Sequence, residues 1–272
     1  MKTLITTKYF FCLNIVFLYS IYGFSQIVNE GVLQIETSTD IYFENEYTNT
    51  NSGVHNNNGN LYLNNNFINN GVTTAISGTT YFKSSTNTIL NVSGTSNLIN
   101  LFNLNINVTG GGAKGVSVAD NFALIIANAV NFESGDLRLV GDSQIVQTHT
   151  GININTVTSG KILRDQQGYE SVFKYNYWSS PVNTGGSYKL LGNKFDGTDS
   201  NLNAFNPKQI LFNSGSPYNG VASLIDVGGN VTTALTISKR WLYKYSRGNS
   251  SYSDWISINE NSTINPGEGY TM

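Results

Sequence analysis

The sequence predicts an all-β protein of two modules: a parallel β-helix or β-solenoid over residues 26–165, then an antiparallel β-sandwich-like module over 166–272. Three observations predict it. Short runs of alternating apolar and polar residues, punctuated by Gly and Asn, fill most of the chain, and almost nothing has the period of an amphipathic helix. Aromatic residues recur every 20 positions, at Tyr42, Tyr62, Phe82, Phe102 and Phe122. All four prolines (Pro181, Pro207, Pro217, Pro266) and all three tryptophans (Trp178, Trp241, Trp255) lie beyond residue 165, where the texture of the sequence changes.

The first 25 residues read as an export leader. Lys2 and Lys8 precede an apolar run from Tyr9 to Tyr22, and the small residues Gly23 and Ser25 flank Phe24, which places a cut after Ser25. The run is shorter than the roughly 18–20 apolar residues of a membrane span, so no transmembrane segment is expected once the leader is removed. Removal also takes Cys12, the only cysteine, so no disulfide or thiolate chemistry is expected in what remains. The sequence has a formal charge of −2, only 12% charged residues, and no cluster of Lys and Arg that could neutralise phosphates; a nucleic-acid partner is not expected.

From residue 26 the question is why "NNNGNLYLNNNFINNG", 56–71, carries so many asparagines, which suit neither helix nor strand. A repeat near 20 residues with short strands and polar turns is the pattern of a solenoid, in which each repeat forms one coil on the last. Equivalent positions of successive coils then lie roughly 4.8 Å apart, and amides at corners stack into ladders. The five periodic aromatics are expected to form one column in the core. For residues 48–60 a flexible Asn-rich loop is an equal alternative. From Leu61 to "SQIVQTHTGININT" the strands follow one another with Gly or Asn between them.

Several stretches have the residue types of a chemical site. Gly110 to Gly115, "GGGAKG", has the spacing of a dinucleotide-binding loop, but a β-rich run follows where a helix is required, so a turn is expected. His55 and His149, the only histidines, stand in no metal-binding or catalytic spacing and are expected to be solvated turn residues. Glu133, Asp136, Asp142, Arg138 and Lys114 are the charged candidates for a polysaccharide-cleaving site on the coils; they read as ordinary turn and solvent-face charges. Asp196, Asp199 and Asn201 in "FDGTDSN" are oxygen ligands of the kind calcium takes, without the spacing of an EF-hand, and a plain loop is expected. No catalytic residue, cofactor or metal follows from these motifs.

In the second module "RWLYKYSRGNSSYSDWISI", 240–258, reads as a β-hairpin with Trp241, Tyr243 and Tyr245 on one face and a Gly-Asn-Ser turn. Trp178, Trp241 and Trp255 are candidate glycan-stacking residues, with core packing as the competing role. "YNYWSSPV" (175–182), the Trp-rich strands and "INPGEGY" (264–270) resemble a module of large secreted and cell-surface proteins of flavobacteria and their relatives. "LFNLNINVTGGG" and "FALIIANAVNFESGDLRL" resemble the β-solenoid repeats often found before that module, and the leader's "GFSQ" is similar to theirs. The resemblance implies export by the type IX secretion system, and adhesive, sugar-binding or structural roles. Proteins of that group continue past the "GEGY" turn to a C-terminal sorting domain, so this chain is expected to be a piece of a longer one. The expected function is that of a non-enzymatic exported surface protein, structural or adhesin-like, with an extracellular or surface polysaccharide as the candidate partner. A carbohydrate-binding protein and a polysaccharide-degrading β-helix enzyme are the alternatives.

Overall fold

The computed structural model describes residues 26–169, 174–180, 186–246 and 254–272. The expected leader and the Gly-Asn-Ser turn lie outside them. From Ile27 to Arg164 the chain winds into a parallel solenoid with three short strands per coil. The first face is a seven-stranded sheet that begins with Ile27–Asn29, Tyr47–Asn49 and Phe67–Asn69 and ends with Ile162–Arg164. The third face is six-stranded, from Asp40–Phe43 to Thr156–Val157. The second is split in two: Val32–Ile35, Val54–Asn57 and Val72–Thr74 form one sheet, and Leu98–Leu101, Ala123–Ile126 and Gln144–Gln147 the other. At the break the Asn100 backbone N–H donates to Thr73 Oγ1 and its side-chain amide to Thr73 O, both at 2.8 Å, so side chains bridge where the ladder stops.

Parallel pairing builds the core in columns. On the first face Ile27, Tyr47, Phe67, Val92, Val118 and Leu139 are successive partners, each pointing inward. On the third face Phe43, Leu63, Phe82, Ile106 and Phe132 form a second column. In strands such as Asn60–Leu63, Ile89–Ser93 and Ala123–Ile126 the burial alternates, so the outward positions remain partly exposed, whereas Gly115–Val118 is buried on both sides. The side chains of both columns lie in one continuous hydrophobic cluster from the first described coil onward.

The five periodic aromatics do not form one column, which corrects the expected repeat. Tyr42 and Tyr62 are partners, but the next rung is filled by Tyr81, and this tyrosine stack lies on the outside of the third face, with ring centroids 4.3 and 4.5 Å apart. Phe82 points inward, Phe102 sits partly buried at a corner, and Phe122 is buried ahead of the second-face strand. The reason is that coil length is not fixed. The step is 20 residues from Phe43 to Leu63, 19 from Leu63 to Phe82, 24 from Phe82 to Ile106 and 26 from Ile106 to Phe132. Corners absorb the difference: "GGGAK" lengthens the turn before Gly115–Val118, and a Cβ at Gly115 would come within 1.9 Å of Asp136 O. Pairing within the strands keeps the rungs in register while the turns vary.

The asparagines of 56–71 are ordered by this stacking, and residues 48–60 lie in strands and tight turns. Asn60, Asn64 and Asn66 donate to Asp40, Glu44 and Glu46, each one coil below, at 2.8, 2.6 and 3.0 Å. Asn57 donates to Thr80 Oγ1 one coil above, at 3.1 Å. Inside, Asn29, Asn49 and Asn69 form a ladder of amides: Asn29 Nδ2 donates to Asn49 Oδ1 and Asn49 Nδ2 to Asn69 Oδ1, both at 2.8 Å. Asn49 and Asn69 are fully buried. The ladder ends where Asn69 Nδ2 donates to Ser96 Oγ and Leu98 O. Above it lies Gly94, whose φ is +140°; a Cβ there would come within 1.9 Å of Asn69 O, so only glycine fits.

His55 is not a solvated turn residue. It lies on the second face with its ring inward, 2% exposed, and Nδ1 hydrogen-bonds the buried Tyr47 hydroxyl at 3.0 Å. Burial pushes its pKa down to about 4, so the ring is neutral in the folded protein at pH 7. His149 is partly exposed and lies 3.0 Å from Ile152 O.

Beyond Arg164 the structure changes to four small sheets. The largest is antiparallel, in the order Tyr177–Trp178, Tyr270–Thr271, Tyr243–Tyr245, Trp255–Ser257. Two antiparallel pairs and one parallel pair, Leu211–Asn213 with Thr236–Ser238, complete it. A second core gathers Tyr188, Leu190, Leu242, Ile258, Ile264 and Tyr270. No helix among the described residues is long and apolar enough to cross a membrane.

Two outcomes follow. Asn49→Ala leaves Asn69 Oδ1 and Val72 O without their buried donor, and urea unfolding will register a loss of about 2–3 kcal/mol, against less than ~1 kcal/mol for Tyr42→Ala on the exposed stack. For His55, the unfolded imidazole takes up a proton near pH 6.5 and the folded one resists until about 4. Stability therefore falls between those pH values by roughly 3 kcal/mol from this group, and His55→Gln will flatten that part of the pH–stability curve.

Candidate functional site

Alternation in "YNYW" decides which aromatics of the four-stranded sheet face outward. Tyr177 is the cross-strand partner of Thr271, which is the partner of Tyr243; two residues along, Tyr245 pairs with Trp255. These side chains share the outer face. Trp178, Tyr270, Lys244 and Ile256 occupy the other, which carries the second core. The sheet thereby separates the three tryptophans. Trp255 packs its ring against Tyr245 and Tyr177 on the outer face, at 5.2 and 6.2 Å between centroids. Trp241, in a single turn of 3₁₀ helix ahead of the Tyr243–Tyr245 strand, meets Tyr175 edge-on at 6.3 Å. Trp178 is turned inward and packs against the core, so it does not share the surface that Trp241 and Trp255 help form.

This outer face is open. Tyr177 is 73% exposed, and Tyr175 and Trp241 are each more than two-fifths exposed. An open cleft of about 220 Å³ borders it, lined by Gln167, Gly168, Tyr169, Tyr175, Asn176, Tyr177 and an edge of Trp178. Two cations lie over rings at its margin. The Arg240 guanidinium is 4.6 Å from the Tyr218 ring centre and 5.5 Å from that of Trp241, and Lys174 Nζ is 5.0 Å from that of Tyr169. On the inner side Lys194 sits over Trp178 and Tyr270, and burial pushes its pKa down to about 8.

The module that presents this face is clamped to the solenoid by Arg138. That residue is 5% exposed, which corrects its reading as a solvent-face charge. It stands on the outward side of the first face between Ser117 and Leu163. Its Nε and Nη2 donate to the Asp165 carboxylate, Nη1 donates to Thr198 Oγ1 and Ala204 O, and Nη2 also to Thr198 O, all within 2.8–3.2 Å. The planar fork is thus used against both the last solenoid rung and the 196–204 loop.

That loop is the stretch with calcium-type ligands, and both of its carboxylates accept from the chain's own N–H groups. Asp199 Oδ1 accepts from the N–H groups of Asn201 and Leu202, which hold its pKa below the usual carboxylate range, and Asp196 Oδ2 accepts from Leu235 N. No group of three or more metal-ligating side chains occurs among the described residues. The charged candidates on the coils are likewise engaged or apart: Glu133 accepts from Asn105 and Asn107, and Asp136 accepts from Lys161 N.

Tyr175 and Tyr177 were not singled out from the sequence, and Arg138 was read only as one of the solvent-face charges, not as a joint. The two-residue spacing of the tyrosines carried the signal, since it puts both on one strand face and Trp178 on the other. Arg138 had no local signal, because its partners lie 27 to 66 residues away. Compared with models of known protein families, with curated proteins and with solved structures, the chain matches none. What the fold and site define is a parallel β-solenoid carrying a small β module with an outward aromatic face.

Arg138→Ala removes the donors of Asp165, Thr198 O and Ala204 O together. It will lower stability by about 3 kcal/mol and open the 196–204 loop to limited proteolysis. Arg138→Lys, which cannot reproduce the fork, will recover only part of both effects.

Proposed function

We propose that the protein is a non-enzymatic exported cell-surface protein of structural or adhesin type. The solenoid serves as a spacer, and the C-terminal module, grouped as a sandwich-like unit, presents the contact surface. The observation that carries this reading is the exposed aromatic face on a module joined to the solenoid through the buried Arg138 fork. A rod whose coils share one core transmits position over its length, and the joint keeps the face in a fixed attitude to the rod. The engagement of Glu133, Asp136, Asp196 and Asp199 with the chain's own donors favours a non-catalytic role over a polysaccharide-degrading one.

The leader at 1–25 supports export, and the resemblance of "YNYWSSPV" and "INPGEGY" to modules of flavobacterial surface proteins supports the type IX route. Fractionation of a flavobacterial host expressing the full sequence tests the location. The protein is expected outside the cytoplasm with Gln26 as its first residue by mass spectrometry. Cytoplasmic retention with Met1 in place would overturn the reading.

A further inference from the structure

We infer that the outer aromatic face binds an acidic polysaccharide, a chain of uronate-type sugars, by ring stacking on Tyr177, Trp241 and Trp255 and by carboxylate contacts to Arg240 and Lys174. The inference rests on the contact face described above and adds the chemistry of what covers it.

Pyranose rings present flat C–H faces that stack on aromatic side chains, and an exposed row of such rings accepts them without needing a deep pocket. The strand spacing of the sheet sets Tyr177 and Trp255 on one stretch of this face and Tyr175 and Trp241 on another, so a linear chain of sugars can contact both. The cleft beside Tyr175 and Tyr177 adds Gln167 and Asn176 amides, with Asn176 Oδ1 already accepting from Tyr169 N at 2.6 Å.

Charge selects the class of sugar. The ion pairs found among the described residues engage Arg138, Lys161, Lys239 and Lys244. Arg240 and Lys174 belong to none of them, and both are held against rings at the margin of the face. A guanidinium lying on an aromatic ring keeps its in-plane donors free for a planar carboxylate. Two copies of this face pressed together would instead oppose like charges, which argues for an anionic polymer over self-association.

Affinity electrophoresis of the full chain through gels containing polygalacturonate, or the same polymer fully methyl-esterified, tests this. The two have one backbone and differ in charge. Retardation by polygalacturonate is expected, about tenfold tighter than by the ester and weakened by salt. Tyr177→Ala, at a largely exposed position, should weaken both interactions about tenfold with an unchanged near-UV circular dichroism spectrum. Arg240→Gln should reduce the preference for the charged polymer, and Arg240→Gln with Lys174→Gln should abolish it, while both leave binding to the ester. Four results would overturn the inference: no retardation by polygalacturonate, equal retardation by the ester, binding untouched by Tyr177→Ala, or a dimer that Tyr177→Ala dissolves. Each leaves the cell location, tested by fractionation, standing or falling by itself.

Discussion

Everything in the solenoid depends on the close vertical spacing of its rungs, about 4.8 Å between hydrogen-bonded strands. At that distance a side chain meets the one above it at every position, so each column must be composed of groups that satisfy one another. Apolar columns do this through packing, as in Phe43, Leu63, Phe82, Ile106 and Phe132. Buried amides do it through hydrogen bonds. Asn is costly inside a protein when alone, because it has donors and an acceptor to satisfy, yet in the 29–49–69 ladder each amide donates to the next and to a corner carbonyl. The same rule explains the outward columns, where tyrosines stack face to face and the asparagines of one coil lie over the carboxylates of the coil below.

The rule also accounts for what could be read from the sequence. Alternation and the spacing of corner residues were enough to recognise stacked parallel coils, because the inward positions of the strands are mostly apolar or amide whatever the turns do. The period was legible only over the first coils, where Ile27 pairs with Tyr47 and Tyr47 with Phe67. After that the corners change length. The turn between Asn69 and Val72 is two residues shorter than that between Asn49 and Val54, and the count drifts although the register does not. Counting residues follows the loops, whereas the core follows the strands. His55 was misread for a related reason: its pairing with Tyr47 joins two faces of one coil, a relation that linear spacing does not reveal.

In the second module the strands are shorter and the polar joints are long-range, so less was legible there. The Trp content marked the region, but the split of the tryptophans between two faces came from strand alternation. The loop at 196–204 had the composition of an ion site, and its function in the fold is to close over Arg138. Composition alone cannot tell an oxygen-rich loop that holds a cation from one that receives a guanidinium. The joint matters for the proposed function because it makes the orientation of the aromatic face a property of the rod rather than of a linker.

In-register stacking, as opposed to a uniform repeat, is tested most directly by cross-linking. With Cys12, the only native cysteine, changed to Ser, cysteine pairs placed beyond residue 25 report on their own proximity. Tyr62 and Tyr81 are neighbours on adjacent rungs, whereas a strict 20-residue repeat would place Tyr62 beside Phe82. Under mild oxidation the chain carrying Tyr62→Cys with Tyr81→Cys should form an intramolecular disulfide, and the chain carrying Tyr62→Cys with Phe82→Cys should remain reduced. The opposite pattern would contradict the strand register on which the core, the amide ladder and the tyrosine stack all rest.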